Sequence, residues 1–130
     1  MSKNKITDLI VDAANDKILF KLISNNKIYT NEHENSRNNF DKFSILLMKF
    51  LKKKQYSFEK VRNVFINQGP GKYTSIRTSM ATIKALQLVY GFNYYGFNSK
   101  DIADGDYLKI LRLFKQKKLI KNLIKPLYLS

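Results

Sequence analysis

The sequence predicts a single α/β domain with a mixed five-stranded sheet, in which three antiparallel strands come first and two parallel strands follow through crossover helices. Short apolar runs separated by polar turns fill residues 7–33. Two amphipathic helical patterns follow, at residues 37–54 and 74–90. A short apolar strand pattern comes after each of them, at residues 64–66 and 92–97 respectively. A chain of 130 residues has the length of one domain rather than two.

The first three strands form a predicted meander. An apolar run at residues 9–11 ends at Asp12, residues 17–23 alternate loosely, and residues 27–33 follow a turn made of two asparagines. Asparagine tolerates the left-handed conformations of tight hairpins, so these strands should pair in sequence order.

The first helix pattern, residues 37–54 with Ser36 as its cap, is apolar on a face that must cover the sheet. That face contains Phe40, Phe43, Leu47, Phe50 and Leu51. Ile45 and Met48 lie well round the helix, so a second apolar strip remains once the main face is buried.

The second helix pattern, residues 74–90 with Thr74 or Ser75 as its cap, is apolar on two faces. One face contains Ile76, Met80, Ile83, Leu86 and Tyr90, and the other contains Ala81, Ala85, Leu88 and Val89. Such a helix packs on its own sheet and on a neighbouring helix, which belongs either to the same chain or to a partner. We expect a partner, and the predicted interface consists of Ile45, Met48, Ala81, Ala85 and Leu88.

Between the fourth strand and this helix, Gly69, Pro70 and Gly71 predict a tight corner. Glycines on both sides of a proline allow backbone φ values that other residues avoid, so the chain can reverse sharply there. Read by itself, this pattern also fits an ordinary strand-to-helix connection.

The amino-acid sequence of the corner and of the helix after it is a more specific signal than the glycine-proline pattern alone. The segment GPGKYTSIRTSMATIKAL, residues 69–86, resembles the signature of the TsaB (YeaZ) family, non-catalytic relatives of the threonylcarbamoyl transferase TsaD. The matching positions are Gly69, Pro70, Gly71, Thr74, Arg77, Ala81, Thr82, Lys84 and Leu86, with Tyr73 in place of the family's Phe. The departures are Lys72, Ser75, Thr78 and Ser79. The last residues, IKPLYLS, resemble the family's terminal PxYLR stretch.

The resemblance divides the chain into three parts. Residues 1–99 resemble the amino-terminal half of TsaB, residues 100–125 form a short helical replacement of the second half, with a helix at 107–119, and residues 126–130 form a strand-like tail. TsaB belongs to the actin-like ATPases, whose halves share the RNase H-like topology.

The function that the resemblance implies is that of a shortened TsaB. It would be a non-catalytic subunit that binds and stabilises a TsaD-like transferase in making N6-threonylcarbamoyladenosine at position 37 of tRNA. A TsaE-like ATPase would join the same complex, tRNA would be met mainly through the complex, and the chain could also form a homodimer. No cofactor is expected, because ATP and metal would belong to the partners.

Enzymatic alternatives are weak on residue chemistry. An actin-like ATPase holds its nucleotide between two halves, and one half cannot form that cleft. An RNase H-like nuclease needs several convergent carboxylates for two metals, whereas the chain offers Asp12 at a strand end and Asp41 early in the first helix. The absence of cysteine excludes Cys-His sets, disulfides and thiolate metal sites, and no Ser-His-Asp set is expected, because the single histidine, His33, is interpreted as an exposed strand-end residue.

The net charge of +14 leaves a second interpretation open, a stand-alone basic RNA-binding module. The candidate RNA contacts are Lys52, Lys53, Lys54, Lys117 and Lys118. The lysine run at the end of the first helix also suits the negative end of the helix dipole, which is its plainer explanation. The chain shows no signal-peptide or membrane-span pattern, so a cytoplasmic location without membrane contact is expected.

Overall fold

The computed structural model describes residues 7–121. Its secondary structure follows the predicted order with one addition. The elements are β1 (Thr7–Asp12), β2 (Lys17–Ser24), β3 (Lys27–Glu34), α1 (Arg37–Phe40), α2 (Phe43–Lys53), β4 (Val61–Asn67), α3 (Tyr73–Tyr90), β5 (Asn93–Phe97), α4 (Lys109–Lys115) and β6 (Ile120–Lys121), with short 3₁₀ turns at Phe58–Lys60 and Ser99–Ile102.

The sheet of the described residues has six strands in the order β3-β2-β1-β4-β5-β6. The β1, β2 and β3 strands pair antiparallel, and β4 and β5 add in parallel to β1. The predicted mixed α/β class and the meander are confirmed. The sixth strand was not predicted, and it pairs antiparallel with β5 through residues that were assigned near a helix end.

Each face of the sheet has its own hydrophobic core. On one face α2 and α3 pack over the sheet, and the buried side chains include Val11, Phe20, Leu47, Val64 and Ile83. On the opposite face α4 and the 3₁₀ turn before it cover a smaller core. Its buried members are Ile10, Phe65, Phe97, Ile102 and Ile110. The central strand β1 is therefore buried on both sides, as its unbroken apolar run requires.

The first predicted helix is two helices. Ser36 caps α1 as predicted, because its hydroxyl accepts a hydrogen bond from the Asn39 backbone N–H at 3.3 Å. The chain then leaves the helix at Asp41 and Lys42, where the Lys42 N–H bonds to the Asn39 carbonyl in a tighter turn. Asparagine and aspartate are weak helix formers, so this short polar segment does not continue into α2.

The cap predicted for the second helix is wrong. The α3 helix begins at Tyr73, and its cap position, Lys72, makes no side-chain cap hydrogen bond. Thr74 is exposed, and Ser75 is buried with its hydroxyl directed at another segment. The helix ends at Gly91, whose φ of 73° is the left-handed conformation that commonly terminates a helix.

The region after β5 also differs from the prediction. The helix expected at residues 107–119 spans only Lys109–Lys115, because the chain turns at Lys117, which has a φ of +59°. Residues 126–130, predicted as a strand-like tail, lie outside the described residues. Within residues 7–121, no helix has the length and apolar character needed to span a bilayer.

Candidate functional site

The candidate site is built where β1 and β4 end beside the start of α3. The chain leaves β1 through Ala13 and Ala14 and leaves β4 through the Gly69–Gly71 corner. The Lys72 N–H donates to the Ala14 carbonyl at 2.9 Å, and the Ser75 hydroxyl donates to the Ala13 carbonyl at 2.7 Å. The first turn of α3 is thus tied directly to the end of β1.

The two corner glycines have different reasons to be glycine. Gly69 has a φ of +104°, which is the left-handed freedom predicted for the corner. Gly71 has no positive φ; instead, a Cβ there would lie 2.2 Å from the Ala14 carbonyl oxygen and 2.8 Å from the Ala14 Cβ. The backbone freedom predicted for Gly71 is therefore wrong, and close packing against β1 takes its place.

Ser75, one of the departures from the TsaB signature, has a clear role here. Its hydroxyl lies 3.0 Å from the amide nitrogen of Asn35, which also donates to the carbonyls of Ala13 and Asn15 at 2.8 and 2.7 Å. Asn35 therefore joins the end of β3 to the end of β1 and to α3. This role could not be predicted from the sequence, because it depends on three segments meeting in space.

Asp12 lies at the end of β1 and is buried. One carboxylate oxygen accepts hydrogen bonds from the Ala14 N–H at 3.0 Å and from the Asn67 side-chain amide at 3.1 Å, and the other accepts from the Tyr107 hydroxyl at 2.6 Å. The carboxylate that the nuclease alternative requires is thus surrounded by neutral donors of the protein itself.

The contact with Asp12 affects the pKa of the Tyr107 phenol. Burial, with the neighbouring Asp12 charge, the hydrogen bond to Asp12 and the more distant Glu32, raises the pKa of the Tyr107 phenol far above its ordinary value. The phenol therefore remains a hydrogen-bond donor throughout the neutral range. The described residues contain no group of three or more His, Cys, Asp or Glu side chains arranged to hold a metal ion.

The remaining motif residues lie on the outside of the corner. Arg77 donates to the Tyr73 hydroxyl at 2.7 Å, and its guanidinium carbon lies 5.3 Å from the centre of the Tyr73 ring. Thr74 is exposed beside them. Pro70 follows a cis peptide bond, and its carbonyl accepts from the Ser99 hydroxyl at 2.8 Å, which ties the corner to the end of β5.

The residues predicted for a partner interface are all exposed on α2 and α3. Ile45 and Met48 have exposed fractions of 53% and 42% on α2, and Leu88 and its neighbour Val89 have 80% and 74% on α3. Ala81 and Ala85 are exposed on α3 as well. The α2 helix contacts α3 but does not cover these side chains.

The lysines predicted as RNA contacts fall into two separate places. Lys52 and Lys53 are exposed at the end of α2, whereas Lys54 is partly buried with its ammonium 5.1 Å from the centre of the Tyr29 ring. Lys117 and Lys118 are exposed after α4, and Lys117 lines a cavity of about 460 Å³ between α4 and the β5 side of the sheet.

Comparisons with known proteins bear on the fold. No family model and no curated relative matches the sequence. Among solved structures, YeaZ from Pseudomonas aeruginosa has a TM-score of 0.69 at 13% sequence identity, over 86% of this chain and 50% of that chain. An uncharacterized protein from the same organism, described as similar to peptidase YEAZ, has the same TM-score and identity over 86% and 49% of the two chains.

RuvC of T. thermophilus, solved in complex with a Holliday junction substrate, has a TM-score of 0.51 at 7% identity, over 76% of this chain and 68% of that chain. At such low identities these likenesses establish the fold alone. They confirm the predicted YeaZ-like and RNase H-like architecture, and the chain spans about half the length of the YeaZ structures it matches.

Proposed function

We propose that this chain acts as a shortened TsaB-like subunit, which binds and stabilises a TsaD-like transferase in N6-threonylcarbamoyladenosine synthesis at tRNA position 37. The chain itself performs no catalytic step. A TsaE-like ATPase acts in the same complex, and tRNA is engaged mainly by the assembly.

The observation that carries this proposal is the exposed apolar surface of α2 and α3 on a domain shaped like half of YeaZ. Isolated exposed apolar side chains are common, but Leu88 and Val89 are adjacent and almost fully exposed, and Ile45 and Met48 are exposed on the neighbouring helix. Ala81 and Ala85, which are also exposed on α3, allow another helix to approach closely. A helical partner surface would bury these side chains and stabilise the complex.

The chemistry of the corner supports a non-catalytic role. Both oxygens of Asp12 accept hydrogen bonds from the protein, and the neighbouring strand end carries Asn67, which donates to Asp12. An amide donor in place of a second carboxylate neutralises none of a metal ion's charge. These contacts favour a structural use of the strand ends over phosphodiester cleavage.

The test is association with the TsaD-like transferase from the same cell, followed by size-exclusion chromatography with light scattering. Ala85→Glu and Met48→Asp should each weaken the complex by several kcal/mol, about 100-fold or more, because a carboxylate is buried there without a partner. N6-threonylcarbamoyladenosine in cellular tRNA should fall accordingly, as measured by nucleoside mass spectrometry.

Matched controls carry the same new side chains elsewhere. Ala103→Glu and Leu108→Asp alter exposed residues near α4. The exposed fraction of Leu108, 44%, is similar to the 42% of Met48. These variants should bind like the parent. If the parent does not bind the transferase, or if the α2 and α3 variants bind as well as the controls, the proposed interface is wrong. RNA binding by the chain together with no association with the transferase would instead favour the stand-alone RNA-binding module.

A further inference from the structure

A groove between the edge strand β3 and the carboxyl-terminal half of α2 is lined by three lysines and by hydrogen-bonding side chains. It has a volume of about 270 Å³. We call it the basic groove, and its polar lining consists of Thr30, Asn31, His33, Lys49, Lys53 and Lys54. No carboxylate is among the described residues that line it.

The fold explains why the acidic residues of β3 stay out of the groove. Asn31 pairs with Phe20, and Phe20 packs on Phe43 and Phe50 of α2, so Asn31 and, two residues on, His33 lie on the α2 face. The residue between them, Glu32, lies on the opposite face. There its charge helps to raise the pKa of Tyr107. Strand alternation thus separates the positive groove from the negative side chains of the same strand.

The lysines of the groove form no ion pair with a carboxylate of the described residues. None of the ion pairs formed among residues 7–121 includes Lys49, Lys53 or Lys54. Lys49 and Lys53 are four residues apart on one helix, a spacing at which like charges destabilise the helix. The helix dipole compensates part of this cost near the carboxyl end.

Three groove residues are already held in place. The ammonium of Lys54 lies over the Tyr29 ring at 5.1 Å, and the His33 Nε2 atom lies 2.6 Å from the Asn31 side-chain oxygen. The floor is apolar and is formed by Leu46 and Phe50. The groove therefore combines lysine cations, hydrogen-bonding groups and an apolar base.

We infer that the basic groove binds the phosphodiester backbone of RNA. Lysine ammonium groups are compact charges that contact phosphates without the planar geometry that arginine brings to carboxylates. Asn31 and His33 offer hydrogen bonds to sugar hydroxyls and phosphate oxygens beside those charges, whereas the Thr30 hydroxyl accepts a hydrogen bond from the Lys21 ammonium at 3.0 Å. This inference goes beyond the proposed subunit role, because it concerns the isolated chain and needs no transferase.

The location differs from the lysine run that the sequence indicated. Lys52 does not line the groove and instead borders the surface depression around Ile45 and Met48. Lys49, which is outside the run, contributes to the groove together with Lys53 and Lys54. Because β3 supplies the opposite wall, the site cannot be recognised from the helix alone.

The experiment measures fluorescence anisotropy of labelled oligouridine and of a labelled RNA duplex with the purified chain, between about 50 and about 200 mM salt. The groove variant carries Lys49→Gln, Lys53→Gln and Lys54→Gln. The control variant carries Lys60→Gln, Lys84→Gln and Lys100→Gln, which remove the same charge at exposed positions outside the groove. Circular dichroism confirms that both remain folded.

The parent should bind oligouridine, and the groove variant should bind at least tenfold more weakly. Its plot of log affinity against log salt should be shallower by about 2, because each phosphate contact with a single strand contributes about 0.7. The control should stay within about threefold of the parent. Preference for the duplex would show that the groove reads helical RNA, and preference for oligouridine would show that it follows a single strand; either supports the assignment.

Three results would overturn it. The parent could fail to bind either RNA at low salt, or the groove and control variants could lose affinity equally, which would assign the effect to net charge. Displacement of RNA by poly-glutamate at equal charge concentration would show a general polyanion surface rather than a phosphodiester site. None of these results depends on the transferase complex, so failure here is separate from failure of the proposed function.

Discussion

The two faces of the sheet are covered in different ways. On one face, α2 and α3 bury a large core and still leave apolar side chains exposed on their outer surfaces. On the other face, the seven-residue α4 covers a small core, and the Tyr107 hydroxyl fastens its approach to Asp12. The helices of the first face keep apolar side chains exposed, whereas the cover of the second face is fastened by a polar contact at one end.

The difference shows how a single half of a YeaZ-like architecture can be a folded unit. Burial of β1 on both faces requires cover on both, and on the second face this cover includes the short α4 helix, whose segment is too short to form another sheet domain. Aromatic packing compensates for its length, because the Phe114 ring contacts both Phe65 and Tyr95 at centroid distances of 5.3 and 5.0 Å.

The comparison is tested most strongly by truncating one core residue on each face. Leu47 and Ile110 are both fully buried. Leu47→Ala should reduce the free energy of unfolding by about 4 kcal/mol, because α2 is held on the sheet from several sides and cannot close the cavity. Ile110→Ala should cost about 2 kcal/mol, since the short α4 can shift inward. Urea denaturation measures both, and equal losses would show that the faces are equally rigid.

The corner glycines give the next largest effect. Gly71→Ala should lower the free energy of unfolding by about 3 kcal/mol, because the new Cβ meets the Ala14 backbone carbonyl, which is held by Lys72. Gly105→Ala is the control: its φ is +79° but nothing lies within 4 Å of the added carbon, so only the backbone strain of about 1 kcal/mol applies. Thermal melting that ranks Gly105→Ala as the more harmful change would contradict the packing explanation.

The Tyr107 contact should contribute about 2 kcal/mol, the range of a hydrogen bond to a charged acceptor. Tyr107→Phe removes the hydroxyl while keeping the ring, and chemical denaturation at neutral pH measures the loss. The pKa of Tyr107 is raised in the folded state, so this stabilisation is fully present below the unfolded value of 10.0 and declines as pH rises above it.

The difference in stability between the parent and Tyr107→Phe should therefore be constant from neutral pH to about pH 9 and should shrink above about pH 10. Tyr56→Phe, on the opposite face beside Tyr29, is the control for removing a phenol. A difference that grows with alkaline pH would show that the folded state stabilises the phenolate instead of the phenol.

Sequence patterns predicted the inner faces of α2 and α3 because helical periodicity records which side chains meet the sheet. The same reasoning missed the break before Phe43, where weak helix formers outweigh an apolar pattern that continues through it. It also missed the contact between Tyr107 and Asp12, which are 95 residues apart. The corner was recognised by its motif, but the true reason for Gly71 lies in Ala14, in the turn that follows β1. Side-chain patterns within one helix or strand can be interpreted from the sequence, whereas individual side-chain contacts between distant segments cannot.

The smallest expected effect concerns the exposed surface of α2 and α3 in the isolated chain. Ala85→Glu and Met48→Asp should each change the free energy of unfolding by no more than about 0.5 kcal/mol, because these side chains face solvent and a new carboxylate remains hydrated. Ile83→Asp, which alters the buried face of the same helix, should unfold the chain. Denaturation at low protein concentration separates folding from association.

If the outer variants destabilise the monomer by several kcal/mol, those side chains belong to the internal core. If they spare the monomer but abolish a dimer seen at high concentration, one surface serves self-association, and a TsaD-like partner that uses this surface should compete with the second copy.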